Sequence, residues 1–488
     1  MKTRLSNAAA VAVLFLIFMY SYKTSIATIY EYYGMGWRNP PEYMLISSFI
    51  MNVTLAYIAS PVYRRPSQLF LVIQFLVVFL PASIVCLNVT RPEISEDRAF
   101  GMIILMYLGI LFQSVFSERR SKQQSTIRRG WIIPANLIKF FLYYACLILL
   151  GTLYTLGDLF SISDLQSMYE QRELLDDKSA SPILRYSISW LGFLVLPTLL
   201  IAALNLKHYH RIGLMVFCFI GYFILFGITA TKTTLFAPLI IVLIYFALSR
   251  SRTSYIKKFS IGFSTLLIFP SLLNLFDYFE TFSLIYLSLV NFRIFAVPQA
   301  LYVQYLDFFS AHPHTFGSHV SVVSWLVSYP FNAPVYLLVG EYFYPGSNMT
   351  ANAGTWAQDG IASFGLAGII IMSAMFTAIM RILDSAAEGH DSRKVGAALS
   401  MLPLFVSNAS LFTTLVSGGL AIAIVLLYVT KRSLPAQRLR PLLSWNRAAP
   451  LKSVHGEISS NSARRLDGSA PRIATPIKVS GRGRTSRI

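Results

Sequence analysis

The sequence predicts an all-α polytopic membrane protein with about twelve transmembrane helices, both termini in the cytoplasm and one large extracytoplasmic loop. Three observations lead to this fold class. Hydrophobic residues occupy 55% of the 488 positions and charged residues only 13%, whereas soluble domains carry roughly 25% charge. Apolar windows recur along the chain. The number of lysines and arginines alternates between high and low in successive connections between these windows. Water is therefore not the main solvent of this chain.

Windows of apolar residues divide residues 1–430 into predicted spans, because a helix needs about 20 apolar residues to cross the hydrocarbon layer. In chain order the windows cover 5–22, 43–60, 68–87, 99–116, 131–156, 187–204, 212–229, 234–248, 259–276, 364–380, 395–411 and 414–429. The first window lacks a small-residue cleavage site and is predicted to be a retained helix. The last two are short and adjoin each other, so a re-entrant pair is the alternative to two full spans.

The connections between the windows carry unequal positive charge. One alternating set, which includes both termini, holds 31 lysines and arginines, and the other set holds 9. Cytoplasmic connections carry the excess of positive residues in membrane proteins. Both termini are therefore predicted inside and the long loop 277–363 outside. Its apolar stretches, such as 282–292 and 320–329, predict helices that lie in the membrane interface.

The C-terminal end accounts for much of the formal net charge of +19. Residues 431–488 contain 13 lysines and arginines and 2 acidic residues. This segment is rich in Ser, Pro, Gly and Arg without an apolar period, which predicts a disordered, basic cytoplasmic tail beside anionic headgroups. Binding of a specific partner is the alternative role. The charge thus does not indicate a folded nucleic-acid-binding face.

Arg293 is the only lysine or arginine in the loop 277–363. A guanidinium presents donors in a planar fork that matches phosphate and pyrophosphate oxygens. We therefore select Arg293 as a candidate anion-binding residue. The alternative is an interfacial arginine that snorkels or pairs with Asp277, Glu280 or Asp307.

Two further cations on the predicted outer side are candidates for substrate binding. Lys232 stands between threonines at the mouth of a helical hairpin, where it and the N-H groups of the next helix could hold an anion. A simple interface anchor is the alternative for Lys232. Arg172 lies in the loop 157–186 with several acidic residues, and a surface ion pair is the competing interpretation for it.

The loop also contains three histidines, His312, His314 and His319. Their spacing matches no standard zinc signature, and no cysteine accompanies them. We predict no metal site. His312 and His314 are candidates for sugar contact or proton transfer, and ordinary polar loop residues are the alternative.

A run of small and polar residues, 352–368, leads into the tenth window. Asn352, Trp356 and Asp359 offer amide, aromatic and carboxylate groups suited to carbohydrate, whereas the glycines are typical of close helix packing. Packing alone explains the glycines well. It explains the adjacent Asp359 less well.

Together these parts resemble the bacterial O-antigen polymerase family, the Wzy-type oligosaccharide repeat-unit polymerases. The resemblance covers residues 227–420 and includes a multi-helix plan with one long, late external loop. The similar motifs are the Gly/Thr-Lys hairpin 227–234, Arg293 with Pro298, His312-Pro313, Phe316-Gly317, and the series Asn352, Asp359, Gly360, Phe364, Gly365 and Gly368.

The resemblance implies a glycosyltransferase outside the bacterial cytoplasmic membrane that joins polyprenyl-pyrophosphate-linked oligosaccharide units into a surface polysaccharide. A growing glycan would leave its lipid pyrophosphate and pass to a hydroxyl of the next lipid-linked unit. No metal, other cofactor or nucleic acid is expected. Membrane lipids, a chain-length regulator and a flippase are the expected partners.

Within this hypothesis Arg293 stabilises the departing pyrophosphate, assisted by Lys232 and Arg172. Asp359, His312 or His314 orients or deprotonates the acceptor hydroxyl, and Asn352 and Trp356 contact the sugar. A glycan ligase, a lipid-linked-oligosaccharide flippase or transporter, and a sensor or scaffold remain as alternatives.

Overall fold

The computed structural model shows a helical protein. In the ranges it describes, secondary structure is helical and no strand occurs. The described residues are 1–92, 94–119, 135–160, 181–249, 253–273, 280–320, 323–347 and 349–430. The predicted tail, 431–488, and Arg172 lie outside these ranges.

The helices of the described ranges are numbered in chain order. The first eight are α1 (Lys2–Ile29), α2 (Glu42–Ile58), α3 (Ser67–Asn88), α4 (Glu96–Arg119), α5 (Ala135–Leu156), α6 (Pro182–Ala203), α7 (His208–Thr229) and α8 (Lys232–Ala247). The others are α9 (Tyr255–Leu273), α10 (Glu280–Ala311), α11 (Val335–Phe343), α12 (Trp356–Ala386), α13 (Ser392–Ala398), α14 (Met401–Val406), α15 (Leu411–Val416) and α16 (Leu420–Val429).

Nine helices of the described ranges are long and apolar enough to cross a membrane, and α2, α8 and α16 are shorter apolar helices. This confirms the predicted all-α, multi-pass class. The last two predicted windows are not continuous helices, because 395–411 contains α13 and α14 and 414–429 contains α15 and α16. The number of crossings and the sidedness of the chain stay predictions.

The structure differs from the predicted loop 277–363 in the first third of that range, where it contains a long helix. There α10 runs for 32 residues and itself qualifies as a candidate membrane span. The predicted windows omit this stretch, although the mean hydropathy of its most apolar 18 residues is 1.5. The structure pairs the amide N-H groups internally: Asn291 Nδ2 donates to Ser21 Oγ at 2.9 Å, and Gln299 Nε2 donates to the Val77 carbonyl at 3.0 Å. The amide oxygens, Asn291 Oδ1 and Gln299 Oε1, are buried without a hydrogen-bond partner among the described residues. Pairing of the donors lowers the cost of burying these polar side chains.

The contacts of α10 place it against the second half of α1 and the residues just beyond it. The Phe292 ring lies 5.7 Å from the Tyr33 ring, just beyond α1. Gln304 donates to the Tyr344 hydroxyl, which donates in turn to the Tyr33 carbonyl, each over 2.9 Å. Farther back along α1, the Phe295 ring lies 6.1 Å from the Phe18 ring. This part of α10 therefore packs along the second half of α1 and the residues that follow it.

Burial raises the pKa of Tyr344, which keeps its hydroxyl protonated as a donor in this chain of bonds. Arg91 lies over the Tyr344 ring, 5.8 Å from its centroid. The connections after α1, α3 and α11 thus meet at the same end of the molecule.

Helix α3 forms the centre of the protein. Of the residues in its most apolar stretch, 94% are buried. A helix that is apolar on all sides must be surrounded by other helices. Beside it, α4 and α12 approach closely at small residues. Ser373 donates to the Gly109 carbonyl at 2.8 Å, and Gln113 donates to Ser373 Oγ at 3.1 Å. Such close contacts are typical of helix pairs in membranes.

Candidate functional site

The candidate site lies at a break in α12. Phe364 and Gly365 have non-helical backbone angles, and Gly365 has φ +63° and ψ −148°, a conformation that essentially only glycine adopts. A Cβ on Gly360 would lie 2.5 Å from the carbonyl carbon of Gly368. The half-helix 356–363 therefore packs tightly against the second half of α12, and the glycines of the run 352–368 make this possible.

The start of the half-helix is fixed by side chains. Thr355 caps it, and the Thr355 backbone N-H donates to Gln358 Oε1 at 2.8 Å, which completes a capping box. The Tyr302 hydroxyl of α10 hydrogen-bonds Thr355 Oγ1. Trp356 is fully buried and donates from Nε1 to Gln74 Oε1 of α3 at 3.1 Å. These contacts anchor the half-helix to α3 and α10.

Asp359 is a buried carboxylate on this half-helix. Its Oδ2 accepts hydrogen bonds from Ser410 Oγ at 2.7 Å and from the Leu411 backbone N-H at 3.1 Å. Its Oδ1 lies 3.7 Å from Nε2 of His319. Ser410 and Leu411 begin α15, so one carboxylate links three separate segments of the chain. A buried carboxylate with specific partners at a helix break is a functional-site candidate.

His319 is held against Asp359 through Thr315. Thr315 Oγ1 donates to the Ala362 carbonyl at 3.1 Å, and the Thr315 backbone N-H donates to the same carbonyl at 2.9 Å. Thr315 Oγ1 also lies 2.9 Å from Nδ1 of His319, and this hydrogen bond orients the imidazole ring. The other ring nitrogen, Nε2, then faces Asp359.

Nε2 of His319 is buried and has no hydrogen-bond partner within the described residues. Its distance of 3.7 Å from Asp359 exceeds that of a hydrogen bond. A proton on Nε2 would make the contact an ion pair. Without that proton, the nitrogen lone pair faces a carboxylate oxygen of Asp359.

The predicted histidines His312 and His314 occupy different surroundings. His314 stacks on Phe309, and its Nε2 lies 3.3 Å from the position of a Cβ on Gly365, beside the break. His312 stacks on Phe308 at 4.0 Å between ring centroids, and its Nδ1 lies 2.9 Å from the Phe308 carbonyl. His314 thus joins the site around Asp359, and His312 packs on its own helix.

Arg293 lies in a π-helical part of α10, Leu287–Ala296, and is exposed. The preceding Phe292 stacks on Tyr30 at 3.8 Å between ring centroids. Arg293 therefore follows directly on a residue that packs against the tyrosines after α1. π-Helical segments occur frequently at functional sites, but the predicted role of Arg293 toward pyrophosphate stays a prediction.

Lys232 is half-buried at the first residue of α8. Beside it a hydroxyl chain joins Thr229, Thr231 and Thr234, with oxygen distances of 2.7 and 2.6 Å. This hairpin adjoins a small apolar cluster that includes Ile228, whereas Trp356 belongs to the large central cluster. We therefore keep as an untested hypothesis the idea that the hairpin and the outer loop form one site.

The two remaining candidates for substrate binding, Asn352 and Trp356, differ in solvent exposure. Asn352 is exposed, while Trp356 has no accessible surface and cannot meet a sugar in this conformation. Within the described ranges, no group of three or more His, Cys, Asp and Glu side chains gathers as metal ligands.

Sequence reasoning missed Thr315 and Ser410, and it considered His319 only as a metal ligand. No local pattern marks Ser410, because its contact with Asp359 joins residues 51 positions apart. Thr315 and His319 are four residues apart, but they meet in a non-helical turn in which Phe316 and Gly317 have positive φ, so helical spacing does not predict their contact.

Comparisons of the chain with protein-family models, with curated proteins and with solved structures gave no match.

Proposed function

We propose that this chain is a membrane glycosyltransferase that polymerises polyprenyl-pyrophosphate-linked oligosaccharide units on the outer side of a bacterial cytoplasmic membrane. The observation that supports it best is the arrangement of Asp359, His319 and Thr315 at the break in α12. Transfer of a glycan to a hydroxyl needs a group that takes the hydroxyl proton. An imidazole oriented by a hydroxyl and faced by a carboxylate is suited to that task.

In the proposed reaction, the acceptor oxygen attacks the anomeric carbon of the growing glycan. The bond from that carbon to the pyrophosphate oxygen breaks, and the lipid pyrophosphate leaves with the electron pair. The acceptor proton passes to Nε2 of His319, and Asp359 stabilises the resulting imidazolium. Arg293 stabilises the charge of the departing pyrophosphate. Since Nε2 is buried, binding of the acceptor must move the segment 315–319 away from the half-helix.

The test is deletion of the gene followed by gel electrophoresis of the surface glycan. A single capped repeat unit supports a polymerase. Unattached long polymer on the lipid carrier indicates a ligase instead, and the absence of any exported unit indicates a flippase.

Arg293 provides a sharper test of the same proposal. Arg293→Lys keeps the charge but loses the planar fork, so glycan polymerisation should fall by about tenfold or more while membrane insertion persists. The readout is glycan length on gels from cells with matched amounts of protein in the membrane. Normal glycan length in Arg293→Ala cells would exclude Arg293 from the site.

A transporter of lipid-linked oligosaccharide is a second candidate, and one observation favours it. Transporters place broken helices and buried ionisable groups at their substrate and proton sites, and α12 is broken beside the buried Asp359. The decisive measurement is translocation of a labelled lipid-linked oligosaccharide in vesicles that contain the purified protein. Translocation without glycan elongation would replace the proposed polymerase by a transporter.

A further inference from the structure

The connection between α10 and α11 carries two large apolar side chains that nothing covers in the described residues. Trp325 is 87% exposed and Leu326 is 88% exposed. Neither belongs to a candidate membrane span. Two adjacent apolar side chains with almost complete exposure are unfavourable in water. Their surroundings must therefore supply an apolar or interfacial partner.

The backbone around these side chains is held by hydrogen bonds. The Val323 N-H donates to the Val320 carbonyl at 2.8 Å, and the Leu326 N-H donates to the Val323 carbonyl at 2.9 Å. A helical turn, Val323–Trp325, results. Trp325 and Leu326 thus project from an ordered turn.

Farther along, the segment is fastened to α10. The Tyr329 hydroxyl donates to the Ala333 carbonyl at 2.8 Å. The Phe331 ring lies 6.0 Å from Phe308 and 6.3 Å from Phe309. The exposed turn is therefore bounded by Thr315 and His319 on one side and by this aromatic contact on the other.

The composition of the segment favours lipid over water as the partner. Residues 320–340 contain no Asp, Glu, Lys or Arg, although a solvated loop is normally charged. The same stretch contains Trp325, Tyr329 and Tyr336, and tryptophan and tyrosine concentrate where the bilayer meets water. An indole ring can enter the acyl boundary while its N-H bonds a headgroup.

We propose that Trp325 and Leu326 insert into the membrane interface and anchor the arm 315–331 to the lipid surface. His319 and Thr315 belong to this arm, so the anchor holds one wall of the Asp359 site next to the lipid. A lipid-borne ligand then approaches the site laterally from the membrane. The inference does not depend on glycosyl transfer, because the anchor would serve a transporter equally.

The test uses the purified full-length protein in lipid nanodiscs and the fluorescence of its tryptophans. The chain has 6 tryptophans, so the signal of Trp325 is obtained as the difference between the unchanged protein and Trp325→Phe. Phenylalanine retains an apolar ring at an exposed position, and folding should persist. Nanodiscs contain phosphatidylcholine brominated either near the carbonyl end of the acyl chain or near its middle, and aqueous iodide provides the opposite probe.

We expect bromine near the carbonyl end to quench the difference signal more than bromine at mid-chain, and iodide to quench it weakly. Strong quenching by iodide with no effect of brominated lipid would overturn the proposal, because the turn would then lie in water. Protection from both quenchers that disappears when each nanodisc holds a single protein would also overturn it, because a second copy would cover the turn.

A charge at the anchor gives an independent measurement. Leu326→Glu should reduce the quenching of the Trp325 signal by brominated lipid, and the neutral variant Leu326→Gln should reduce it less. Equal quenching in the unchanged protein and both variants would contradict insertion of Leu326.

Discussion

Two carboxylates of α12 have equally exposed side chains but different partners. The side chains of Asp359 and Asp384 are each 10% exposed. Each accepts a serine hydroxyl and a backbone N-H: Asp384 from Ser67, at 2.6 and 3.1 Å, and Asp359 from Ser410 and the residue after it. The cation that faces Asp384 is Arg65, at 3.9 Å, whereas Asp359 faces His319.

This difference separates a structural carboxylate from a candidate functional one. Arginine keeps its proton in proteins, so the contact of Arg65 with Asp384 is permanently charged. It ties the start of α3 to the end of α12. An imidazole can be neutral or charged, so the contact of His319 with Asp359 is not bound to be an ion pair. The second contact is also beside a backbone break, where movement is easier.

The largest expected effect follows from Asp359→Asn. The amide keeps an acceptor for Ser410 and the Leu411 N-H but removes the charge that faces His319. Glycan polymerisation in cells should fall by about a hundredfold, and the melting temperature of the purified protein should change little. Wild-type polymerisation in Asp359→Asn cells would exclude the carboxylate from the reaction.

The matched substitution Asp384→Asn should act on stability instead. It removes the negative charge that lies 3.9 Å from the Arg65 guanidinium, and loss of one partner of a buried ion pair costs about 3 kcal/mol. Fluorescence-detected thermal unfolding in detergent measures this loss. Polymerisation per folded molecule should stay near normal. A large loss of activity at unchanged melting temperature would remove the distinction between the two carboxylates.

Gly365→Ala tests the helix break that lies between Asp359 and Asp384 in α12. A Cβ at φ +63° and ψ −148° is strained and costs about 1–3 kcal/mol, and it would approach His314 Nε2 to 3.3 Å. We expect lower stability together with lower activity, since the break positions Asp359. Gly262→Ala is a suitable control, because a Cβ there meets nothing within 4 Å. An equal effect of both substitutions would show that the break has no special role.

The smallest effect is expected from His312→Phe. This change keeps the stack on Phe308 and removes the contact with the Phe308 carbonyl, which costs about 1 kcal/mol. Activity should persist, while His314→Phe beside Gly365 should lower it. Assays of both variants at equal protein amounts make the comparison. A greater loss in His312→Phe would return His312 to the site.

Asp359 and His314 could be selected from sequence because a carboxylate among small residues and a histidine after an apolar helix are local features. His319, the partner of Asp359, could not be selected in this way. His319 meets Asp359 because Thr315 binds the carbonyl of Ala362, which is 47 positions from Thr315 in the sequence. Trp356 shows the opposite error, since an aromatic residue beside glycines suggested a sugar contact, and its indole is buried against Gln74 of α3.

Sequence alone determined that the chain is helical and crosses a membrane several times, because apolar length and sparse charge are properties of the local chain. It also indicated a polar, glycine-rich entry to α12. The tertiary structure alone decided that α10 is one long helix packed against the second half of α1, and that α12 breaks at Gly365. Both depend on hydrogen bonds and close contacts between distant segments, which make polar helices and a positive φ acceptable inside an apolar bundle. Those contacts also decided which of three histidines faces Asp359.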